Sequence, residues 1–301
     1  MTPLYQLLRE IGANLSFAGY LPDAFRYDFF ANAVICALII GPLLGWLGTM
    51  VVVKRMAFFS QAVGNAALTG VAIGVMLGEA YTAPYVSMFS FCLLFALIMK
   101  YTQFRTSLSN DVLIGVFLSI SLALGSSLLL FVSARINTHV MESVLFGSIL
   151  TVNDTDISIL LAVAAVTLSA GLWLYNQMLL ASLNPSLAAA RGIPVRFIDY
   201  VLVVLVALVT VACVKIVGAV LVEALLIIPA AAARNISRSL VGFVWYSVII
   251  ATFACLTGIY IPMAYDLPLP SGGAIILVAA LAFVGTVLIR STLGHFKESR
   301  I

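Results

Sequence analysis

The feature that most constrains this chain is a succession of long apolar segments that only short polar stretches separate. We expect nine membrane-spanning helices, each near the ~20 residues that cross a hydrocarbon core. They cover about residues 29–53, 57–77, 84–99, 112–132, 157–175, 197–214, 218–233, 240–263 and 274–289. Of the 301 residues, 63% are hydrophobic and 9% charged, a composition that a water-soluble domain could not keep dispersed. The predicted fold class is an all-α polytopic membrane protein with a single transmembrane domain over residues 1–301.

The number of spans depends on one junction. Residues 197–214 and 218–233 are joined almost without a loop. They could instead form one span followed by a re-entrant or broken helix, which would give eight spans.

Residues 1–26 are too polar to span, but five apolar side chains recur there at helical spacing. These are Leu4, Leu7, Leu8, Ile11 and Leu15. The pattern predicts an amphipathic helix that lies in the membrane interface. No stretch has the layout of a secretory signal, so we expect no cleaved signal peptide.

Basic residues indicate the orientation, because short loops rich in Lys and Arg stay in the cytoplasm. With nine spans, one side receives Lys54, Arg55, Lys100, Arg105, Arg191, Arg196, Arg234, Arg238, Arg290, Lys297 and Arg300. The other side receives only Arg9, Arg26, Arg135 and Lys215. The N-terminus is therefore predicted outside and the C-terminus inside. Because these charges are scattered, no nucleic-acid partner is expected.

Several kinds of chemistry have no sequence motif here. No lysine lies in a GxxxxGK(S/T) context, so the chain has no P-loop for ATP. His139 and His295 do not form HExxH, and no GxSxG elbow is present. Four widely spaced cysteines, Cys36, Cys92, Cys213 and Cys255, are predicted to be buried, reduced packing residues. The leading class is transport by a permease that a partner drives.

Glu223 is the acid that lies well inside a predicted span. A charge near mid-membrane costs at least ~2.5 kcal/mol, so this side chain should face protein or water rather than lipid. It is therefore a candidate for the substrate pathway. The alternative is a structural role, in which Glu223 is protonated or pairs with Lys215 and only ties helices together.

The sequence around Glu223 resembles a known family. Residues 215–234, KIVGAVLVEALLIIPAAAAR, resemble the membrane subunits of the ABC-3 family, the permeases of bacterial zinc, manganese and iron importers. The sequence that begins at Asp266, DLPLPSGGAIIL, resembles the turn before the final span of that family. The likeness extends from about residue 29 to residue 290.

Residues 56–70, MAFFSQAVGNAALTG, are similar to the second-span motif of the family, S-F-x-G-D-x-x-S-H-A-x-L-P-G. In that motif the acid and the histidine are thought to line the metal pathway. Position by position, Gln61 stands for the acid, Asn65 for the histidine and Thr69 for the proline. The three polar side chains share one helical face. They could line a pathway or, alternatively, hydrogen-bond to a neighbouring helix. Because zinc prefers Cys, His and carboxylate ligands, the amides argue against a tight transition-metal site.

Residues 182–196 predict a short helix between two spans on the basic side. Ser182 or Asn184 can start it before Pro185, and Gly192 with Pro194 ends it. The segment resembles the cytoplasmic coupling loop of the family, which typically ends in Gly-Ile-Pro. The resemblance implies that a separate ATPase subunit binds this segment at Pro185, Ala188, Ala189, Arg191 and Gly192. A simple surface helix is the alternative.

The resemblance as a whole implies a type II ABC importer-like fold in a bacterial inner membrane. It further implies a homodimer in the lipid bilayer, two cytoplasmic ABC ATPase subunits and an extracytoplasmic solute-binding protein. ATP and Mg would be bound by the ATPase, with no cofactor and no catalytic site in this chain. The implied cargo is a divalent transition metal (zinc, manganese or iron), moved by alternating access. A metal chelate or small polar solute is the alternative cargo. An ATP-independent channel or carrier, and a membrane scaffold, are alternatives of other classes.

Overall fold

The computed structural model describes residues 28–79, 84–106, 108–133, 152–265 and 270–298. These residues form the helices α1 (Asp28–Val53), α2 (Phe59–Met76), α3 (Tyr85–Arg105), α4 (Asn110–Ser133), α5 (Asp154–Leu183), α6 (Pro185–Ala190), α7 (Val195–Val217), α8 (Ala219–Ile236), α9 (Leu240–Ala264) and α10 (Ser271–Glu298). In these described ranges, nine helices are long and apolar enough to cross a membrane. The remaining helix is α6. The all-helical prediction is confirmed.

Three predictions concern residues outside the described ranges. The interfacial helix over residues 1–26 lies there, as do His139 and the first residues of the turn that begins at Asp266. These three expectations, and the single-domain assignment, stay predictions.

The junction at Gly218 separates two helices that cross the bundle in opposite directions. Gly218 has φ +85°, a conformation that glycine adopts without steric cost. At the end of α7, Lys215 pairs with Asp156 at the start of α5. At the end of α8, by contrast, Ala233 packs with Val53 at the end of α1. The chain therefore returns across the bundle after Gly218, which supports nine spans rather than eight.

Several helices run further than the apolar segments that predicted them. The fifth span was expected to end near residue 175, yet α5 continues to Leu183. Asn176 and Gln177 lie on the exposed side of this extension, whereas Met178 and Ala181 are fully buried. The polar residues therefore do not stop the helix, because its inner side stays apolar.

The centre of the bundle is formed by α1, α2 and α7, which are the most buried helices of the described part. Helix α1 packs mainly on α9 and α8, α2 on α4 and α3, and α7 on α5 and α3. All four cysteines are buried in this interior, as predicted. Large apolar side chains such as Leu172, Trp173 and Phe131 are exposed on the outer helices. Those surfaces are suited to contact with lipid tails.

Three glycines on α1 permit close helix contacts. A β-carbon on Gly41 would lie 2.8 Å from Thr252 Cα, and one on Gly45 would lie 2.9 Å from the Ser247 carbonyl oxygen. Ser247 Oγ also donates a hydrogen bond of 2.7 Å to the Gly45 carbonyl. A β-carbon on Gly48 would collide with the Leu226 carbonyl of α8. Small residues of this kind let membrane helices approach each other closely.

We therefore expect Gly48→Ala to destabilise the protein by about 1–3 kcal/mol, the usual cost of overpacking. The added methyl meets backbone, which cannot rotate away. Gly115→Ala is the matched control, because nothing lies within 4 Å of a β-carbon at that position. Thermal unfolding of both variants in detergent measures the effect. Equal unfolding temperatures for Gly48→Ala and Gly115→Ala would show that α1 and α8 do not pack as described.

Candidate functional site

Two amide side chains on α2 are accessible and lack partners in the described part of the chain. Gln61 and Asn65 are half-buried, and neither forms a hydrogen bond or ion pair with another described residue. They therefore do not tie α2 to a neighbouring described helix of the same chain. Thr69, predicted on the same face, is only 1% exposed. Its Oγ1 lies 3.2 Å from the point that a β-carbon on Gly125 of α4 would occupy. The structure thus groups Gln61 with Asn65 and places Thr69 at a helix contact.

Glu223 on α8 is the acidic counterpart of these amides. It is half-buried and forms no hydrogen bond or ion pair with a described residue. The suggested pairing with Lys215 is wrong. Lys215 Nζ instead lies 3.3 Å from Asp156 Oδ1 and donates a hydrogen bond of 2.8 Å to Tyr85 Oη. The reason is the reversal at Gly218, which removes the continuous helix on which an eight-residue spacing would align the two charges.

Helices α2 and α8 pack against each other, and these polar groups lie within about one helical turn of that contact along the chain. The β-carbon of Ala219 lies 3.3 Å from the point that a β-carbon on Gly64 would occupy. Glu223 comes one turn after Ala219, while Gln61 and Asn65 flank Gly64 on α2. The polar groups at this contact therefore offer oxygen atoms of two amides and one carboxylate. Among the described residues, no three His, Cys, Asp or Glu side chains lie together, at this contact or at any other place.

The start of α7, at the other end from Lys215, carries an ion network that the sequence analysis did not find. Lys54 Nζ pairs with Asp199 Oδ1, and Lys100 Nζ lies 3.1 Å from Asp199 Oδ2. Lys54 also donates to the Ala181 carbonyl at 3.4 Å, and Lys100 donates to Gln103 Oε1 at 2.9 Å. The network joins the ends of α1, α3 and α5 to the start of α7. Sequence reasoning used the two lysines only to set orientation. The sequence feature that could have indicated the network is Asp199, an acid within the first turns of an apolar span, on the side of the membrane where the basic residues collect.

Helix α6 has the boundaries that its sequence predicts. Asn184, rather than Ser182, caps it by accepting a 3.1 Å hydrogen bond from Leu187 N, and Pro185 occupies its first turn. Gly192, with φ +77°, ends it, and Ile193 N donates to the Ala188 carbonyl at 3.0 Å.

The faces of α6 differ in exposure. Ala188 is fully buried where α6 packs on α5 and α7. Leu187, Ala189 and Arg191 are exposed. The helix therefore has one face fixed to the bundle and one face free to contact another protein.

Comparison with known proteins identifies the family. The model of the ABC 3 transport family matches residues 26–290, which is nearly the whole chain. This chain belongs to the ABC 3 transport family. With its nine apolar helices in the described ranges, this family member is a multi-pass bacterial membrane protein and a permease subunit.

Individual relatives of this ABC 3 family member match along most of their length. The manganese import system permease protein ScaB of Streptococcus gordonii is 33% identical over 272 residues, covering 90% of this chain and 95% of ScaB. The high-affinity zinc uptake system membrane protein ZnuB of Haemophilus influenzae is 28% identical over 91% of this chain and 100% of ZnuB.

A solved structure gives the same result for the fold. The structure of PsaBC from Streptococcus pneumoniae in complex with Fab matches with a TM-score of 0.76 and 31% identity. The match covers 90% of this chain and 95% of that one. The predicted ABC importer permease fold is therefore confirmed for this ABC 3 family member.

Proposed function

We propose that this ABC 3 family member is the membrane subunit of an ATP-driven importer for a divalent transition metal, with manganese as its cargo. The observation that carries the proposal is the group of accessible side chains at the α2–α8 contact, Gln61, Asn65 and Glu223, which have no partners among the described residues. A carboxylate inside a span costs free energy, so it is usually found where it faces a substrate pathway or has a counter-charge. Relatives named as manganese and zinc permeases support a metal as the cargo.

The donor atoms favour manganese over zinc. Amide and carboxylate oxygens suit Mn²⁺, whereas Zn²⁺ is held best by His nitrogen and Cys sulfur. The two histidines of the sequence lie outside the predicted spans, and the cysteines are buried. An oxygen-lined path would bind its ion weakly, which is useful for passage because an ion must also be released.

A homodimer completes this path. Each copy supplies the polar groups on one side of α2 and α8, and a two-fold axis would place the same groups opposite. Two Glu223 carboxylates would then balance the charge of one divalent cation. Thr69 would contribute through helix packing rather than by contact with the ion.

The energy would come from a separate cytoplasmic ATPase that binds ATP and Mg, since this sequence contains no P-loop. That subunit would dock on the free face of α6, where Ala189 and Arg191 are exposed. Because α6 packs on α5 and α7, a displacement of α6 would tilt both helices and alternate access to the path. An extracytoplasmic binding protein would deliver the metal.

Arg191→Glu should uncouple ATP hydrolysis from transport and lower uptake by about tenfold or more, as expected when an interface charge is reversed. The side chain is exposed on the residue that directly follows α6, so the protein should still insert and fold. Arg105→Glu is the matched control, because Arg105 is also an exposed arginine on the predicted cytoplasmic side. Uptake and copurification of the ATPase are measured for both variants. If Arg191→Glu keeps normal uptake and normal ATPase binding, α6 is not the docking helix.

A further inference from the structure

A cavity of about 520 Å³ opens at the predicted cytoplasmic ends of α1, α5, α8 and α9. It lies away from Gln61, Asn65 and Glu223. Its described lining consists of Val53, Arg55, Ser182, Leu183, Arg234, Ser237, Arg238, Ser239, Leu240 and Phe243. The volume falls in the range of small-molecule sites.

The lining is strongly cationic. The lining contains three arginines from separate parts of the chain: Arg55 follows α1, Arg234 lies near the end of α8, and Arg238 lies between α8 and α9. No described acidic residue belongs to the lining. None of the three forms a hydrogen bond or ion pair between its side chain and a described residue. Three guanidinium groups gathered around one space repel each other, so an anion bound between them is favoured.

The backbone holds Arg55 at the cavity in an unusual conformation. Arg55 has φ +54°, and it is the non-glycine residue with positive φ in the described part of the chain. Two hydrogen bonds close the turn, from Arg55 N to the Val52 carbonyl at 3.2 Å and from Met56 N to the Val51 carbonyl at 3.0 Å. Glycine is the usual residue at this position of a helix end. The chain therefore places an arginine where glycine would be less strained.

The rest of the lining has the chemistry of a lipid site. Ser239 caps α9 by accepting a 3.1 Å hydrogen bond from Gly242 N, so the amide end of α9, which favours anions, lies at the cavity. Val53, Leu183, Leu240 and Phe243 add an apolar wall. Cations beside an apolar wall, at the level where helices end, suit a phosphate head group whose acyl chains continue along the protein. Basic pockets between membrane helices on the cytoplasmic side bind anionic lipid head groups.

We propose that this cavity binds the phosphodiester of an anionic phospholipid from the cytoplasmic leaflet. The lipid phosphate lies between Arg55, Arg234 and Arg238, and its apolar part lies against Leu240 and Phe243. Because Ser182 and Leu183 are the last residues of α5, directly before α6, the bound lipid would also contact the helix end from which α6 extends.

The test is a titration of the full-length protein in mixed micelles with phosphatidylglycerol or with phosphatidylcholine, read by native mass spectrometry. We expect preferential binding of phosphatidylglycerol and a loss of about fivefold in affinity for each arginine removed, hence about 25-fold in Arg234→Gln/Arg238→Gln. Arg105→Gln, an exposed arginine outside the cavity, should bind phosphatidylglycerol normally. Arg55→Gly should lose about fivefold although its backbone is relaxed, which separates lost binding from misfolding.

The same titration is repeated with inorganic phosphate and with the ATPase subunit present. Binding that persists in excess phosphate and in the assembled complex supports the lipid site. Equal phosphatidylglycerol binding by the parent protein and the double variant would overturn the proposal. Complete displacement by inorganic phosphate would show a site for free anions, and complete displacement by the ATPase would show a protein-docking surface. Either result would also overturn it.

Discussion

Glu223→Gln is expected to reduce manganese uptake by about 100-fold or more while the protein still inserts and assembles. The substitution keeps the size of the side chain and one acceptor oxygen but removes its charge. At an effective dielectric near 20, one charge contact at about 5 Å is worth about 3 kcal/mol, and a homodimer would lose two carboxylates at once. Since Glu223 has no partner among the described residues, its loss should leave folding nearly unchanged.

Glu79→Gln is the matched control for this experiment. Glu79 follows the end of α2 and accepts a 2.8 Å hydrogen bond from Ser87 Oγ, so it is an acid with a structural partner. Uptake of radioactive manganese by the reconstituted complex should fall in Glu223→Gln and stay near normal in Glu79→Gln. Full uptake by Glu223→Gln would remove Glu223 from the path and leave a structural role for its carboxyl group.

Asp199→Asn should destabilise the protein by about 3–5 kcal/mol, the cost of removing one partner from a buried ion pair. The change would leave Lys54 and Lys100 close together with no counter-charge, at side-chain exposures of 12% and 5%. Asp111→Asn is the control, because Asp111 is exposed in the first turn of α4. SDS-induced unfolding in mixed micelles measures the difference.

Removal of one lysine should restore part of the loss. In Asp199→Asn/Lys100→Met, the two lysines no longer repel each other, so the double variant should be more stable than Asp199→Asn alone. Additive destabilisation by the two substitutions would show that Lys100 and Lys54 do not interact through Asp199.

The helical content and the order of the spans follow from the sequence, because apolar length and turn residues are local properties. The boundaries of α6 followed from Asn184, Pro185 and Gly192 for the same reason. The end of α5 did not, since a helix can leave the apolar region when its polar residues lie on the exposed side.

Ion partners were harder to predict, because they depend on which helix ends meet. Lys215 was close to Glu223 in sequence, yet the reversal at Gly218 leaves it beside Asp156 on α5, a helix far away in the sequence that packs on α7. Asp199 pairs with Lys100 of α3 and with Lys54, which directly follows α1. These pairs also depend on which helix ends meet. The positions Gln61 and Asn65 came from the resemblance to a family motif. The structure adds that their amides are accessible and have no partner among the described residues.

The most direct test of the proposed function is ATP-dependent uptake of radioactive manganese into proteoliposomes that contain this chain and its ATPase, with ATP enclosed in the lumen and the binding protein added outside. We predict accumulation of the free ion that requires ATP, that an excess of chelator abolishes, and that zinc inhibits only weakly. Accumulation without ATP would contradict the importer mechanism. Uptake that proceeds only when the metal is chelated would contradict a path for the bare ion, and would favour a chelate as the cargo.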